Sequence, residues 1–174
     1  MTSVFIRPAR LGDIAAITTI YGHAVTHGTA SFELEAPTQA EMTQRMQSLL
    51  DGNFPYLVAE ASGGVVGYAY AALYRTRPAY RFSLEDSVYV DPSAQRLGIG
   101  RLLLDRLIVE SEKRGFRQMI AVIGDSDQTP SIELHRACGF EMIGPIRNVG
   151  FKFGRWLDTV LMQRALGEGA RTNP

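Results

Sequence analysis

The residues with the clearest chemical potential lie between positions 86 and 101, where a strand ends, a loop turns and a helix begins. Gly98 and Gly100 let the main chain curl tightly, and the N–H groups of the curl then turn toward one point in front of the positive end of the helix. Such an arrangement binds a pyrophosphate. The loop and the start of the helix comprise Gln95, Arg96, Leu97, Gly98, Ile99, Gly100 and Arg101.

Two common nucleotide-binding motifs do not match this loop. A dinucleotide fingerprint needs a third glycine where the chain has Leu103, and an ATP-type phosphate loop needs a lysine where it has Arg101. The loop instead resembles the Q/R-x-x-G-x-G/A signature of the GNAT family of N-acetyltransferases, with Gln95, Gly98 and Gly100 at the defining positions. The resemblance implies acetyl-coenzyme A as the acetyl donor.

The resemblance also implies where acetyl-coenzyme A is held. In the family the donor lies along the end of the strand before the loop, like an added strand, and its pyrophosphate lies in the loop. Ordinary sheet pairing along that strand is the alternative. The implied contact residues are Val88, Tyr89, Val90, Gln95, Arg96, Leu97, Gly98, Ile99, Gly100, Arg101 and Gln128.

These residues need a scaffold, and the rest of the chain predicts one α+β domain. The predicted order of elements gives a central mixed, mostly antiparallel sheet of about six to seven strands flanked by about four helices. This is the order of the GNAT fold, in which a splayed strand pair forms the donor cleft. The predicted elements span residues 4–6, 14–27, 39–50, 56–61, 65–73, 81–90, 101–114, 119–123, 131–137, 140–146 and 156–166.

Composition bounds the function. The chain has 174 residues, 45% of them hydrophobic, which predicts one domain over residues 1–166 and a disordered tail at 167–174. Eighteen Lys and Arg balance eighteen Asp and Glu, so we expect a small-molecule partner and no nucleic acid or membrane. The single cysteine, with no signal core and no membrane-spanning run, predicts a cytoplasmic protein. Three scattered histidines predict no metal site.

Acetyl transfer to an amine needs a group that removes the amine's proton. Strand alternation puts Glu85 and Ser87 on one face and Asp86 on the other, with the apolar residues. By itself, Glu85 fits a solvated carboxylate on an edge strand. The run from Glu85 to Val90, however, resembles the strand of phosphinothricin-type acetyltransferases in which that glutamate is the proposed base, so Glu85 is predicted to be catalytic.

The departing thiolate needs a proton, and His135 is the candidate donor. The segment from Ser131 to Phe140 resembles a later GNAT motif, in which a Tyr, or a His in the phosphinothricin branch, lies near the sulfur of the donor. A lone helical histidine also fits a packing or surface position. The family motif has Asn where this chain has Gln128, which puts the donor contact at that position in question. Cys138 ends the same helix and reads as an inert core residue.

An arginine cluster lies just before the strand of Glu85. Arg75 and Arg77 suit a carboxylate or another oxyanion, although a solvated loop is the alternative. Residues 29–33 and 149–158 also resemble segments of phosphinothricin and methionine sulfoximine acetyltransferases, which acetylate the α-amino group of small amino-acid analogues and form homodimers. The resemblance implies an acceptor pocket made of Phe32, Arg75, Thr76, Arg77, Glu85, Asp86, Ser87 and Lys152.

Two alternatives stay open. A GNAT enzyme can act on another amine, such as a peptide N-terminus; polyamines and aminoglycosides are polycations, which Arg75 and Arg77 disfavour. The chain can also be a coenzyme A sensor without turnover, which Glu85 and His135 disfavour and Gln128 keeps open. Thiol release in the presence of amines distinguishes the enzyme from the sensor.

Overall fold

The fold is described by a computed structural model that covers residues 3–174. Within these residues one seven-stranded sheet is covered by four α-helices, none of which has the length and apolar character needed to cross a lipid bilayer. The strands are β1 (Phe5–Pro8), β2 (Tyr56–Ala61), β3 (Gly64–Leu73), β4 (Ser83–Val90), β5 (Gln118–Gly124), β6 (Glu141–Lys152) and β7 (Arg155–Ala165). The helices are α1 (Ile14–His27), α2 (Gln39–Asp51), α3 (Ile99–Lys113) and α4 (Thr129–Ala137).

The strand order of the sheet is β1-β2-β3-β4-β5-β7-β6. β4 and β5 run parallel, and the other neighbouring pairs are antiparallel. Pairing between β4 and β5 joins only Ser83–Asp86 to Gln118–Ala121. The rest of β5 continues along β7, so residues 87–90 of β4 diverge from β5 and leave a cleft. The predicted α+β fold with a splayed strand pair is therefore confirmed.

Helices cover both faces of the sheet, and each face has its own hydrophobic core. β4 contributes side chains to both cores, Leu84 on one face and Tyr89 on the other. Burying a large apolar side chain stabilises the fold by about 1.5–3 kcal/mol, so packing on both faces fixes the position of β4. Its alternation then turns Glu85 and Ser87 toward α1 and Asp86 toward α4. The core residues include Leu84, Leu103, Leu107 and Met119 on the α3 side and Ile17, Met46, Tyr56 and Tyr68 on the α1 side.

The N-terminus of α2 has a reciprocal cap, of the kind that a threonine three residues before a glutamate favours. Thr38 Oγ1 accepts a hydrogen bond from the Glu41 N–H at 3.2 Å, and the Glu41 carboxylate accepts one from the Thr38 N–H at 2.6 Å. We expect Thr38→Ala to lower the free energy of unfolding by about 1 kcal/mol, because a first-turn N–H loses its partner. Urea unfolding measures the change. The control is Thr43→Ala, which removes only a hydroxyl bond to the Gln39 carbonyl within the helix; an equal loss in both variants would contradict the cap.

Apart from the end of β6, every predicted element boundary lies within two residues of the observed one. The β2–β3 turn is made by Ser62 and Gly63, whose φ angles are 52° and 79°, and Gly64 already belongs to β3. β6 extends to Lys152 instead of ending near residue 146. It pairs with β7 through two register shifts. Because these bulges interrupt the alternation of apolar residues, the sequence pattern does not indicate the full length of the strand.

The chain beyond β7 lies next to the start of β5. The Arg117 guanidinium donates hydrogen bonds to the carbonyl oxygens of Gly169 and Asn173 and to Thr172 Oγ1. Disorder of residues 167–174 in solution stays a prediction.

Candidate active site

The splayed strands β4 and β5 open into a cavity of about 320 Å³, which is within the range of small-molecule sites. Its walls come from β4, the end of β5, the start of α4 and the loop that follows α1. Eight residues that the sequence predicts as site residues line it: Phe32, Glu85, Asp86, Ser87, Val88, Tyr89, Gln128 and His135.

Glu85 lies half-buried in the cavity wall, on the α1 face of β4. Burial raises the pKa of its carboxyl above the usual value, the charge of Asp86 raises it further, and the guanidinium of Arg75 opposes both effects. A carboxylate with a raised pKa is a better proton acceptor. Glu85 can therefore take a proton from an amine bound in the cavity.

Asp86 and His135 form a buried pair on the α4 face of β4. Asp86 Oδ2 lies 2.9 Å from His135 Nε2, and His135 Nδ1 lies 2.7 Å from the carbonyl oxygen of Ser131. A carbonyl oxygen can only accept, so Nδ1 carries a proton, and a second proton lies between Nε2 and the carboxylate. Burial lowers the pKa of His135, but the charge and hydrogen bond of Asp86 and the Ser131 carbonyl outweigh burial and raise it. The pair thus holds a proton that it can give up.

The loop before α3 has the shape of an anion site. Gly98 has a φ of +77° and precedes the helix directly, and Arg96 also has a positive φ of 62°. The first N–H groups of α3, on Ile99 and Gly100, have no acceptor within the helix and carry its positive dipole. Residues 95–98 are exposed, so a phosphate can approach these groups from solvent.

The end of β4 offers main-chain groups to a ligand. Residues 87–90 pair with β3, but in the described chain their other edge has no pairing with β5. Because main-chain groups alternate in direction along a strand, half of these N–H and C=O groups point toward the cleft. They can hydrogen-bond to an extended ligand or to an oxyanion.

The Phe32 ring packs closely against two glycines of the sheet, Gly124 of β5 and Gly150 of β6. A Cβ atom at Gly150 of β6 would collide with the Phe32 ring, and a Cβ atom at Gly124 of β5 would come within 2.9 Å of it. Both positions therefore require glycine, since any side chain there would displace the Phe32 ring. The close packing on these two glycines fixes Phe32 in the cavity wall.

Two predicted site residues hold the loop of residues 28–33, to which Phe32 belongs. Gln128 Nε2 donates a hydrogen bond to Thr29 Oγ1 at 3.0 Å. Lys152 Nζ donates to the carbonyl oxygens of Gly28 and Ser31 at 2.9 and 2.7 Å, and Lys152 lies outside the cavity wall. Direct contact of Gln128 with the acetyl donor and of Lys152 with the acceptor stays a prediction.

The arginine cluster also lies outside the cavity wall. Arg75, Thr76 and Arg77 are exposed in the loop between β3 and β4. The Arg75 guanidinium lies 4.3 Å from the centroid of the Tyr74 ring, and its charge lowers the pKa of Glu85. Arg75 is thus close enough to act on a charged group near that carboxylate.

Sequence reasoning missed two tyrosines of the cavity wall. The Tyr21 hydroxyl donates to the Glu33 carboxylate at 2.7 Å and shares a hydrogen bond with Ser31 Oγ at 2.9 Å. Tyr70 lies opposite Ser87 in the β3–β4 register. Pairing the predicted β3 and β4 in antiparallel register would have found Tyr70. Tyr21 carries no such signal, because a tyrosine on the apolar side of a helix looks like a core residue. The other missed wall residues include Gly124 and Thr159.

Cys138 is the single cysteine and is buried. Burial, together with Asp105, raises the pKa of its thiol to about 12, so little thiolate exists at neutral pH and a covalent acetyl-cysteine route is disfavoured. Within residues 3–174, no group of three or more His, Cys, Asp or Glu side chains is arranged to hold a metal ion.

Related proteins share this domain. Residues 6–161 match the acetyltransferase (GNAT) domain. The chain is 54% identical over 169 residues to the phosphinothricin N-acetyltransferase of Alcaligenes faecalis, which covers 97% of this chain and 86% of the relative. It is 41% identical over 168 residues to the L-methionine sulfoximine/L-methionine sulfone acetyltransferase of Salmonella typhimurium, which covers 95% of this chain and 96% of the relative.

A solved structure extends the likeness to the whole fold. The phosphinothricin acetyltransferase from Sinorhizobium meliloti, crystallised in complex with AcCoA, matches with a TM-score of 0.96 and 48% identity, over 98% of this chain and 92% of that chain. The domain match, the two relatives and this structure agree on the family and on the fold. The chain therefore belongs to the GNAT family of acetyltransferases.

Proposed function

We propose that the protein transfers an acetyl group from acetyl-coenzyme A to the α-amino group of a small amino-acid analogue of the phosphinothricin, methionine sulfoximine or methionine sulfone type. One observation carries the proposal: Glu85, with its raised pKa, lies in a cavity beside the open edge of β4. The relatives named above supply the class of acceptor.

The residues of the donor side fit acetyl-coenzyme A, which supplies the acetyl group as a thioester. The N–H groups at the start of α3 suit its pyrophosphate, and the exposed loop of residues 95–98 leaves room for it. The free main-chain groups of residues 87–90 suit the extended arm that leads to the thioester. An N–H of this edge can also donate to the carbonyl oxygen as negative charge develops there.

On the acceptor side, Glu85 takes a proton from the ammonium group, so that the nitrogen has a lone pair with which to attack the carbonyl carbon. A C–N bond forms, the C–S bond breaks, and the nitrogen loses its second proton to solvent as the amide forms. The proton that the departing sulfur needs comes from the pair of Asp86 and His135. The transfer is direct, in a ternary complex, and no protein group carries the acetyl.

Arg75 and Arg77 are proposed to bind the acceptor's carboxylate or its tetrahedral oxyanion. Both lie exposed at the start of the loop that leads into β4, and the charge of Arg75 already acts on Glu85. A guanidinium can bind an oxyanion by two parallel hydrogen bonds. A polycationic acceptor would be repelled from this side of the cavity.

Thiol release tests the proposal directly. Purified protein is mixed with acetyl-coenzyme A and, in separate reactions, phosphinothricin, methionine sulfoximine, methionine sulfone, an alanine-terminated peptide and spermidine. We expect release with the first three and none with spermidine. Release only with the peptide would favour an N-terminal acetyltransferase, while calorimetric binding of acetyl-coenzyme A without release from any amine would favour a coenzyme A sensor.

Gly98→Ala tests whether the loop of residues 95–98, here called the phosphate loop, binds the pyrophosphate. The substitution meets no atom within 4 Å, but Gly98 has a φ of +77°, which costs a side-chain residue about 1–2 kcal/mol. We expect the KM for acetyl-coenzyme A to rise about 5- to 30-fold, because the amides lose their arrangement. Gly63→Ala is a matched control, with a φ of +79°, equally open space and a place in the β2–β3 turn. An equal change in KM for both variants would contradict a role of the loop in binding acetyl-coenzyme A.

We also propose that the protein is a homodimer. β6 is an edge strand of the sheet, and the β6–β7 hairpin exposes a row of large apolar side chains that water solvates poorly. A second copy of the chain would cover this row. Sedimentation of a 19.2 kDa species at micromolar concentration would contradict the dimer. The exposed members of the row are Met142, Ile143, Ile146, Val149, Phe151, Phe153 and Trp156.

A cytoplasmic location is proposed because the only cysteine is a buried, unpaired thiol, as is usual in a reducing compartment. Fractionation of cells that produce the protein tests it, and recovery in an oxidising compartment would contradict it.

A further inference from the structure

Lys152 is a buried cation that the acetyl-transfer chemistry does not use. It is the last residue of β6 and is 3% exposed. Its ammonium donates to the Gly28 carbonyl at 2.9 Å and the Ser31 carbonyl at 2.7 Å, and it lies 5.0 Å from the centroid of the Phe153 ring. Burying a cation costs free energy, and its hydrogen bonds offset that cost without a clear gain in stability. We therefore ask what else the two hydrogen bonds of Lys152 do.

The two hydrogen bonds hold a stretch of chain that forms the cavity wall. Thr29 and Ala30 lie between Gly28 and Ser31. Ala30, Ser31 and Phe32 line the cavity. Gly150, two residues before Lys152 on the same strand, accommodates the Phe32 ring. Residues two apart on a strand share a face. β6 therefore contacts this wall at two points: Gly150 packs against the Phe32 ring, and Lys152 bonds the main chain of Gly28 and Ser31.

Other contacts reach the same stretch mainly through its side chains. On its main chain, the Gly28 N–H also donates to the Ala24 carbonyl of α1, whereas the carbonyl oxygens of Gly28 and Ser31 accept from Lys152. Tyr21 bonds the side chains of Ser31 and Glu33, and Gln128 bonds the side chain of Thr29. The stretch thus reaches one predicted donor residue, Gln128, but the loop of residues 95–98 and the free edge of β4 make none of these contacts with Lys152.

We infer that Lys152 is a positioning residue for the acceptor. By fixing the main chain of residues 28–31, it sets the place of Ser31 and Phe32 in the cavity and so the fit of the acceptor, while acetyl-coenzyme A binds independently of it. This inference rests on the proposed function. It replaces the predicted direct contact between Lys152 and the acceptor with an indirect role.

Lys152→Met tests the inference, since methionine keeps an unbranched chain up to the position of Cε and lacks the terminal ammonium with its N–H donors. We expect the KM for the acceptor to rise about tenfold or more, because a displaced wall misplaces the bound amine, while the KM for acetyl-coenzyme A changes less than about twofold. Lys113→Met is the control, because Lys113 is exposed and pairs only with Glu110 at 3.1 Å. An unchanged acceptor KM, or an equal rise in both KM values, would overturn the inference.

Two further measurements separate positioning from folding and from the proposed function. In a Cys138→Ala background, Lys152→Cys that is aminoethylated while unfolded and then refolded regains an ammonium at the same reach, and the acceptor KM should return toward that of the background. Amide hydrogen exchange of residues 28–33 should be faster in Lys152→Met and unchanged around residues 95–100. The exchange result needs no turnover, so it tests the inference even if no amine is acetylated; unchanged exchange at residues 28–33 would refute it.

Discussion

Replacing Glu85 with Gln is expected to lower kcat/KM at neutral pH by about 10²- to 10⁴-fold, which is the range of a lost general base. Glutamine keeps the size of the side chain and its place in the half-buried wall but cannot take the amine's proton. The steady-state rate of thiol release at saturating acetyl-coenzyme A measures the loss. Glu168→Gln, which alters an exposed carboxylate paired with Arg171, is the control and should keep the wild-type rate.

The pH dependence gives the loss at Glu85 a signature. The wild-type rate should rise with pH as Glu85 ionises, through a midpoint above the usual carboxyl value because burial and Asp86 raise its pKa. In Glu85→Gln this limb should be gone, and the residual rate should follow the ionisation of the free amine. A wild-type limb that persists in the variant would assign the base to another group.

Stability should move in the opposite direction to activity. Because the folded state raises the pKa of Glu85, its protonated form favours folding, and this stabilisation is present below about pH 4.5 and lost as pH rises through the raised value. Glutamine stays neutral throughout. Glu85→Gln should therefore unfold at a higher urea concentration than the wild type at neutral pH, which excludes misfolding as the cause of its low activity.

The turn before α3 was predictable from sequence because its geometry is local. Main-chain amides at a helix start need only a short run with glycine at set places, and Gly98 indeed takes the left-handed conformation that favours this residue. The alternation of one strand likewise sufficed to place Glu85 and Asp86 on opposite faces. Such signals depend on neighbours along the chain and survive without knowledge of the fold.

The contacts that hold residues 28–33 in the cavity wall were not predictable from sequence, because they join distant parts of the chain. Lys152 reaches a loop more than 120 positions earlier, and Phe32 depends on the lack of a side chain at Gly124 and Gly150. Nothing near Lys152 in sequence indicates that its partners are carbonyl oxygens. Only the register of β6 against β7, with its two shifts, places Gly150 and Lys152 where they meet the loop.

The pairing of Asp86 with His135 leads to the last prediction. His135→Ala should lower kcat by about 10²-fold or more, as removal of a general acid does, and should leave the Glu85 limb of the pH profile in place. Asp86→Asn keeps the shape but removes the charge that raises the pKa of His135. Its activity should therefore fall at a lower pH than that of the wild type as the histidine loses its proton. An unchanged kcat in His135→Ala would remove the histidine from the mechanism.

Stability and a double substitution separate proton donation by this pair from its packing. The raised pKa of His135 stabilises the fold fully below about pH 6.5, and the stabilisation is lost as pH rises through the raised value. Breaking a buried pair costs about 3–5 kcal/mol, so Asp86→Asn should be destabilised, and more at pH 6 than at pH 9. If the two groups act as one unit, Asp86→Asn combined with His135→Ala should have a kcat no lower than the worse of the two single variants, because the second change removes a group that has already lost its partner. Losses that multiply would mean that each side chain acts on the reaction separately.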